Sequence, residues 1–191
     1  MRPDVWLIRH GETEWSATGR HTSVTDVPLT ANGEDEARAL APELADHEFA
    51  LVLASPATRA RTTARLAGFP DPELDPDLRE WSYGDLEGLT TPDIRARGPE
   101  WSDWTVWRGP LPGGESVTDV AKRARRVWER AEATAGDVLL FGHGHQLRIL
   151  AAVGLGLDPH NGSRLLLDPA KVSIIGTEHE VRALRVWNRG A

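Results

Sequence analysis

Cysteine is absent from the 191 residues. That excludes disulfides and thiolate metal sites and is compatible with a cytoplasmic location. Long apolar runs are missing too. Met-Arg-Pro-Asp at the start is followed by only four apolar residues, fewer than the core of a signal peptide, and no stretch reaches transmembrane length. Nor is there an excess of positive charge. The formal net charge is −7 at pH 7, so neither nucleic acid nor an anionic membrane is expected as a partner. Phenylalanine and tyrosine are scarce, three and one, against eight tryptophans. Some of those tryptophans are expected in the core and some around a pocket. No internal repeat, low-complexity run or linker divides the chain. What is present, 40% hydrophobic and 27% charged residues, describes one soluble globular domain spanning 1–191, and leaves a homo-oligomer open.

The hydrophobic pattern alternates between two periods. Val5 to Ile8, Phe49 to Ala54 and Asp137 to Phe141 read as short buried strands. Val172 to Gly176 and Val181 to Trp187 read as two late strands at a sheet edge. Helical spacing appears in Ala37, Leu40, Ala41 and Leu44, with Thr30 as N-cap. It appears again in 57–67, opened by Pro56. A long amphipathic helix runs from Val117 to Ala131 behind a Ser116/Asp119 capping box, and an apolar helix from Leu147 to Val153. Pro70 to Asp77 and the polar stretch Gly11 to Pro28 read as loops, and Thr91 to Arg97 as a short helix. Strands alternating with helices predict an α/β fold with a mostly parallel sheet. A lid-like insertion is expected around 84–114, carrying Trp101, Trp104 and Trp107. These three either pack the segment onto the sheet or wall the space above a substrate.

Three of the strands end in polar groups: Arg9-His10-Gly11, Ser55 with Arg59 one helical turn on, and His143. In open parallel sheets, chemistry collects past the carboxyl ends of the strands. Two guanidinium groups and two imidazoles would then share a pocket in an acidic chain, which suits a compact dianion such as phosphate. Helix N-termini near Ser55 and Gly144 favour the same ligand. A neutral imidazole can attack phosphorus, and neighbouring arginines oppose its protonation. Glu80, in the polar loop Leu78 to Gly88, is the candidate acid for the leaving oxygen; Asp85 and Glu87 read as loop-stabilising carboxylates. His143-x-His145 lacks a third ligand at metal-site spacing, so no metal and no cofactor are expected.

Arg9-His10-Gly11-Glu12-Thr13, Ser55-Pro56-x-x-Arg59-Ala60, Leu78-Arg79-Glu80 and Gly142-His143-Gly144 together resemble the histidine phosphatase superfamily, the phosphoglycerate mutase-like proteins. The motifs occur in the family's order across nearly the whole chain. The resemblance implies a three-layer α/β/α sandwich. It makes His10 the phospho-accepting nucleophile, Glu80 the proton donor, and Arg9, Arg59 and His143 the phosphate pocket. Ser16 stands where many members have asparagine, which alters the fine shape of that pocket. Trp15-Ser16-x-x-Gly19-x-His21-Thr22, the Arg79-Glu80-Trp81-x-Tyr83-Gly84-Asp85 loop and His143-Gly144-His145-x-Leu147-Arg148 are most similar to the sedoheptulose-1,7-bisphosphatase-type sugar phosphatases. Ser16, Thr22, Tyr83, Gly144 and His145 are accordingly candidate substrate contacts, with a helix-capping role as the alternative for His145. Arg148 is expected to face outward or pair locally, a second-phosphate role being the alternative. The short insertion after Glu80 and the short tail after Trp187 favour a metal-independent phosphatase acting on a small phosphate ester, a sugar phosphate by class, over its rivals. Those are a mutase, and a non-catalytic phospholigand-binding module.

Overall fold

Side chains on the central strands sort by face, and that sorting builds the three layers. The computed structural model describes residues 2–190. The strands are β1 (Val5–Arg9), β2 (Leu51–Ala54), β3 (Glu73–Leu74), β4 (Val138–Gly142), β5 (Val172–Glu178) and β6 (Val181–Arg189). They form one sheet in the order β3-β2-β4-β1-β5-β6. Its first four members are parallel; β5 is antiparallel to β1, and β6 to β5. The helices are α1 (Glu14–Ala17), α2 (Ala31–Ala39), α3 (Ala41–Ala45), α4 (Thr58–Leu66), α5 (Thr91–Arg95), α6 (Val117–Glu132) and α7 (Gly144–Gly154).

Val5, Leu7, Leu53, Val138 and Leu140 point to one face and pack with α6 and α7. Trp6, Ile8, Ala54, Leu139 and Phe141 point to the other and meet Leu40, Leu44 and Ala64. This alternation is the two-residue period of a strand, and burying each large aliphatic contributes about 1.5–3 kcal/mol. A capping box between Ser116 and Asp119 starts α6. Close approach of α7 to α6 depends on Gly154, where a Cβ would lie 2.5 Å from the Trp128 ring. Among the described residues no helix is long and apolar enough to cross a membrane.

Several boundaries differ from the sequence pattern. The helix read through Leu44 is broken at Leu40, because Pro42 has no N–H to continue the ladder. Pro56 lies before the N-cap Ala57, outside α4. The loop Gly11 to Pro28 contains α1, opened by a Thr13/Ser16 capping box. Pro70 to Asp77 contains β3, two exposed residues paired with β2 and too short to show a period. α7 begins at Gly144, three residues before its apolar run. In segment 84–114, Leu86, Ile94, Trp104 and Val106 are buried in the core on the α6 and α7 side.

Because β4 lies between β1 and β2, the carboxyl ends of three parallel strands are adjacent. Arg9 is in register with Gly142, and Ala54 with Phe141. That places the segments following all three strands on one edge of the sheet.

Candidate active site

His10 follows β1 directly, its N–H bonded to the Gly142 carbonyl at 3.0 Å. Its Nδ1 lies 2.8 Å from the Gly11 carbonyl. A carbonyl can only accept, so Nδ1 carries the proton and Nε2 keeps a lone pair. The Gly11 peptide is itself held. Its N–H donates to Thr63 Oγ1 at 3.0 Å, and the Thr63 hydroxyl donates to the Arg59 carbonyl at 2.8 Å. A Cβ on Gly11 would meet the Gly33 carbonyl oxygen at 2.3 Å, so only glycine lets this loop lie on the start of α2.

Behind His10 lie three buried N–H groups. Arg59, only 1% exposed, donates from Nη1 to Thr25 O at 3.1 Å and from Nη2 to Ser23 O at 3.2 Å. Arg9 donates from Nη1 to Leu167 O at 2.8 Å. In both, Nε is buried with no hydrogen-bond partner among the described residues. His143 is fully buried, its Nε2 2.8 Å from Ser55 Oγ and its Nδ1 unpartnered. The Ser55 hydroxyl has no other acceptor, so it donates to Nε2, and the His143 proton is on Nδ1. The rings of His10 and His143 are 5.2 Å apart.

These surroundings set the charges. Burial, reinforced by Arg9 and Arg59, holds the His10 imidazolium well below the ordinary histidine range. Burial and then Arg59 do the same to His143. Both rings are therefore neutral at pH 7.

Glu80 reaches the start of α7. Its Oε1 accepts from the backbone N–H of Trp81 at 2.9 Å and of Gln146 at 2.8 Å, and its Oε2 accepts from His145 N–H at 3.1 Å. The polar run Gly144-His145-Gln146 is helical because this carboxyl group satisfies the helix's free donors. Arg123, on α6 and 6% exposed, fixes the segment from below. It bonds both Glu115 carboxylate oxygens and the carbonyls of Asp77, Arg79 and Glu80. A Cβ on Gly144 would stand 3.4 Å from Arg9 Nε and 3.7 Å from Glu80 Oε2, so that residue separates the cation from the acid. Glu87 accepts the N–H groups of Ser23 and Thr25 and so holds the loop carrying Arg59's carbonyl partners.

A cavity of about 180 Å³ opens over His10, with Arg9, Glu80 and Gly144 in its wall. Ser16, Thr22, Tyr83 and His145 line it as well. Arg59 and His143 lie beneath, outside that lining. The hydroxyls of Ser16 and Thr22 donate to the carbonyls of Thr13 and Arg20, which leaves them as acceptors toward the cavity. His145 is not a side-chain cap: its ring bonds Tyr83, while Glu80 caps the helix. Arg148 does not face outward only. It bonds the Gly162 and Ser163 carbonyls, lies over the Trp107 ring, and contributes to the wall. Trp101, Trp104 and Trp107 do not line the cavity. Trp104 and Trp107 instead back its histidines, 5.3 Å from His21 and 5.5 Å from His145, and Trp101 stacks under Arg97. Arg20, His21 and Leu167 also line the cavity; His21 belongs to the Trp15 to Thr22 motif, while no local pattern marks Arg20 or Leu167. A larger hollow, about 910 Å³, lies around Arg2, Glu132 and Arg185 at the start of β1, and has no histidine in its wall.

The chain is similar to known proteins over most of its length. The chain is 42% identical over 184 residues to an acid phosphatase of Mycobacterium tuberculosis, covering 94% of this chain and 89% of that protein. It is 34% identical over 187 residues to the sedoheptulose 1,7-bisphosphatase of Saccharomyces cerevisiae, covering 82% and 69%. A solved structure of a Mycobacterium tuberculosis open reading frame product superimposes with a TM-score of 0.91 at 39% identity, covering 100% of this chain and 99% of that one. Residues 5–190 match the histidine phosphatase superfamily, branch 1, and the chain belongs to that family.

Proposed function

We propose that this protein is a metal-independent phosphomonoesterase that hydrolyses a small phosphate ester, a sugar phosphate by preference, through a phosphohistidine on His10. One observation carries the reading. His10, with Nε2 free to act as acceptor, lines the cavity beside Arg9, and the N–H groups at Arg9 Nε, Arg59 Nε and His143 Nδ1 are buried with no partner among the described residues. Such donors suit the equatorial oxygens of a transferring phosphoryl group. The acid phosphatase and bisphosphatase relatives support the reaction class. The small cavity supports a metabolite over a macromolecule.

In the first half-reaction Nε2 of His10 forms a bond to phosphorus as the ester P–O bond breaks, and the Glu80 proton passes to the leaving oxygen. In the second, Glu80 takes a proton from water, the water oxygen bonds to phosphorus, and the P–N bond breaks. Arg9 and Arg59 carry the positive charge that neutralises the phosphoryl oxygens in both steps.

The test is hydrolysis of 4-nitrophenyl phosphate in excess chelator, with rapid acid-free quenching to trap the phosphoenzyme. Sustained turnover with base-stable, acid-labile label on His10 supports the proposal. Loss of turnover on chelation, or label elsewhere, overturns it. Phosphoglycerate mutases are also among the relatives; isomerised phosphoglycerate formed without free phosphate would favour transfer to a second hydroxyl in place of water.

A further inference from the structure

Beside Glu80, the cavity wall carries two imidazoles. His21 and His145 both line it, with ring centres 6.3 Å apart. Each is backed by aromatic surface. His21 lies 4.8 Å from the Tyr83 ring, and His145 is 6.2 Å from Trp81. The one strong hydrogen bond to either ring is Tyr83 Oη to His145 Nδ1, at 2.7 Å.

The direction of that bond follows from what else Tyr83 can reach. The residue is 2% exposed and its hydroxyl has no other partner among the described residues. Were Nδ1 the donor, the phenol proton would have no acceptor among the described residues, and the weakly basic phenol oxygen would have to accept in place of the more basic imidazole nitrogen. Tyr83 therefore donates and Nδ1 accepts. Burial also pushes the Tyr83 phenol well above its ordinary range, so it keeps that proton. Burial, with help from Arg148, His21 and Arg9, holds His145 well below the histidine range, so its ring has only one proton to place. With Nδ1 occupied as an acceptor, that proton is on Nε2, which has no hydrogen-bond partner among the described residues.

We propose that Tyr83 is a positioning residue that fixes His145 in the Nε2–H tautomer, so that the leaving-group half of the cavity presents a constant neutral donor to a hydroxyl oxygen of a polyhydroxylated phosphate ester. This rests on the phosphatase reading and names the chemistry of the leaving group. A neutral donor of fixed direction selects an alcohol oxygen that an aryl leaving group lacks. Leaving a buried donor unpaired is what gives such a site its discrimination.

Two measurements test it, one of which needs no turnover. Nitrogen-15 NMR of imidazole-labelled protein, with His145 assigned by loss of its signals in His145→Gln, reads the tautomer directly at pH 7. Protonated Nε2 in the wild type, giving way to a tautomer mixture in Tyr83→Phe, is the expected result; protonated Nδ1 or an imidazolium in the wild type overturns the proposal. In parallel, kcat/KM is compared for ribose 5-phosphate and 4-nitrophenyl phosphate. Tyr83→Phe should lower the ribose-to-aryl ratio about tenfold, the scale of one hydrogen bond, and adding His145→Gln, whose amide donates without help, should restore most of it. Equal loss on both substrates, or no change in the ratio, overturns the proposal. Failure of the wild type to turn over any aryl phosphate would instead count against the phosphatase reading, with the NMR result still deciding the tautomer.

Discussion

The lone pair on His10 Nε2 is owed to a single carbonyl, that of Gly11, and the donor proton on His143 Nδ1 to a single hydroxyl, that of Ser55. His10→Ala should abolish both turnover and trapped phosphoenzyme. Ser55→Ala removes the proton that holds His143 Nε2 as acceptor; the ring can then turn its lone pair toward phosphate. The rate of phosphoenzyme formation, followed by quenched flow, should fall about tenfold to a hundredfold, with the melting temperature little changed by comparison. Glu80→Gln should slow phosphoenzyme formation far more for alkyl phosphates than for nitrophenyl phosphate, since the better leaving group needs no acid; equal slowing would remove Glu80 from that role. Activity should also persist as pH falls through the ordinary histidine range. Burial, Arg9 and Arg59 depress the His10 imidazolium, so the nucleophile stays neutral there, and a kcat/KM profile that drops near pH 6.5 in step with an unperturbed histidine would contradict this.

At the scale of elements, the site is assembled by contacts between segments that share no local pattern. α7 is started by a carboxyl group from the loop at Glu80, and that loop is held to α6 by Arg123. Arg123 lies on the buried face of α6 between Val120 and Val127, an arginine on a stripe otherwise apolar. Arg123→Met keeps the length and removes five hydrogen bonds. It leaves Glu115 without its cation and should cost about 3–5 kcal/mol of stability, read as a lower urea midpoint with an unchanged slope. Activity should fall with it, because Glu80 loses its support.

For the molecule as a whole, the buried neutral histidines make stability depend on pH. His10, His143 and His145 are all held well below the histidine range, each chiefly by burial. In the unfolded chain they bind protons near pH 6.5, while the folded chain refuses them. Between 6.5 and the lower folded values the unfolded state thus carries more protons, and stability is lost as pH falls. Each group contributes a slope of about 1.4 kcal/mol per pH unit in that window. Urea unfolding at pH 7.0 and pH 5.5 should show the lower midpoint at pH 5.5, and replacing His145 with Gln should reduce the difference. An equal midpoint at both pH values would mean that these rings are accessible to protons in the folded state.

The order of strands and helices, the two buried faces and the residues at the ends of β1, β2 and β4 were legible in the chain itself. Each is written in a local run, period or contiguous motif: the unbroken apolar run Val5 to Ile8, a capping box at Ser116, Arg-His-Gly at the end of a strand. β3 escaped because two residues carry no period, and the break at Leu40 because Pro42 still tolerates helical phase on either side. Tertiary structure alone decided which nitrogen of His143 and of His145 carries the proton, and it holds in place the Gly11 peptide that decides this for His10. Ser55 and His143 are 88 residues apart, Gly11 and Thr63 52, and Tyr83 and His145 62. The protonation pattern of an imidazole depends on the one atom within about 3 Å of it, and for His143 and His145 that neighbour exists only once distant segments have been brought together.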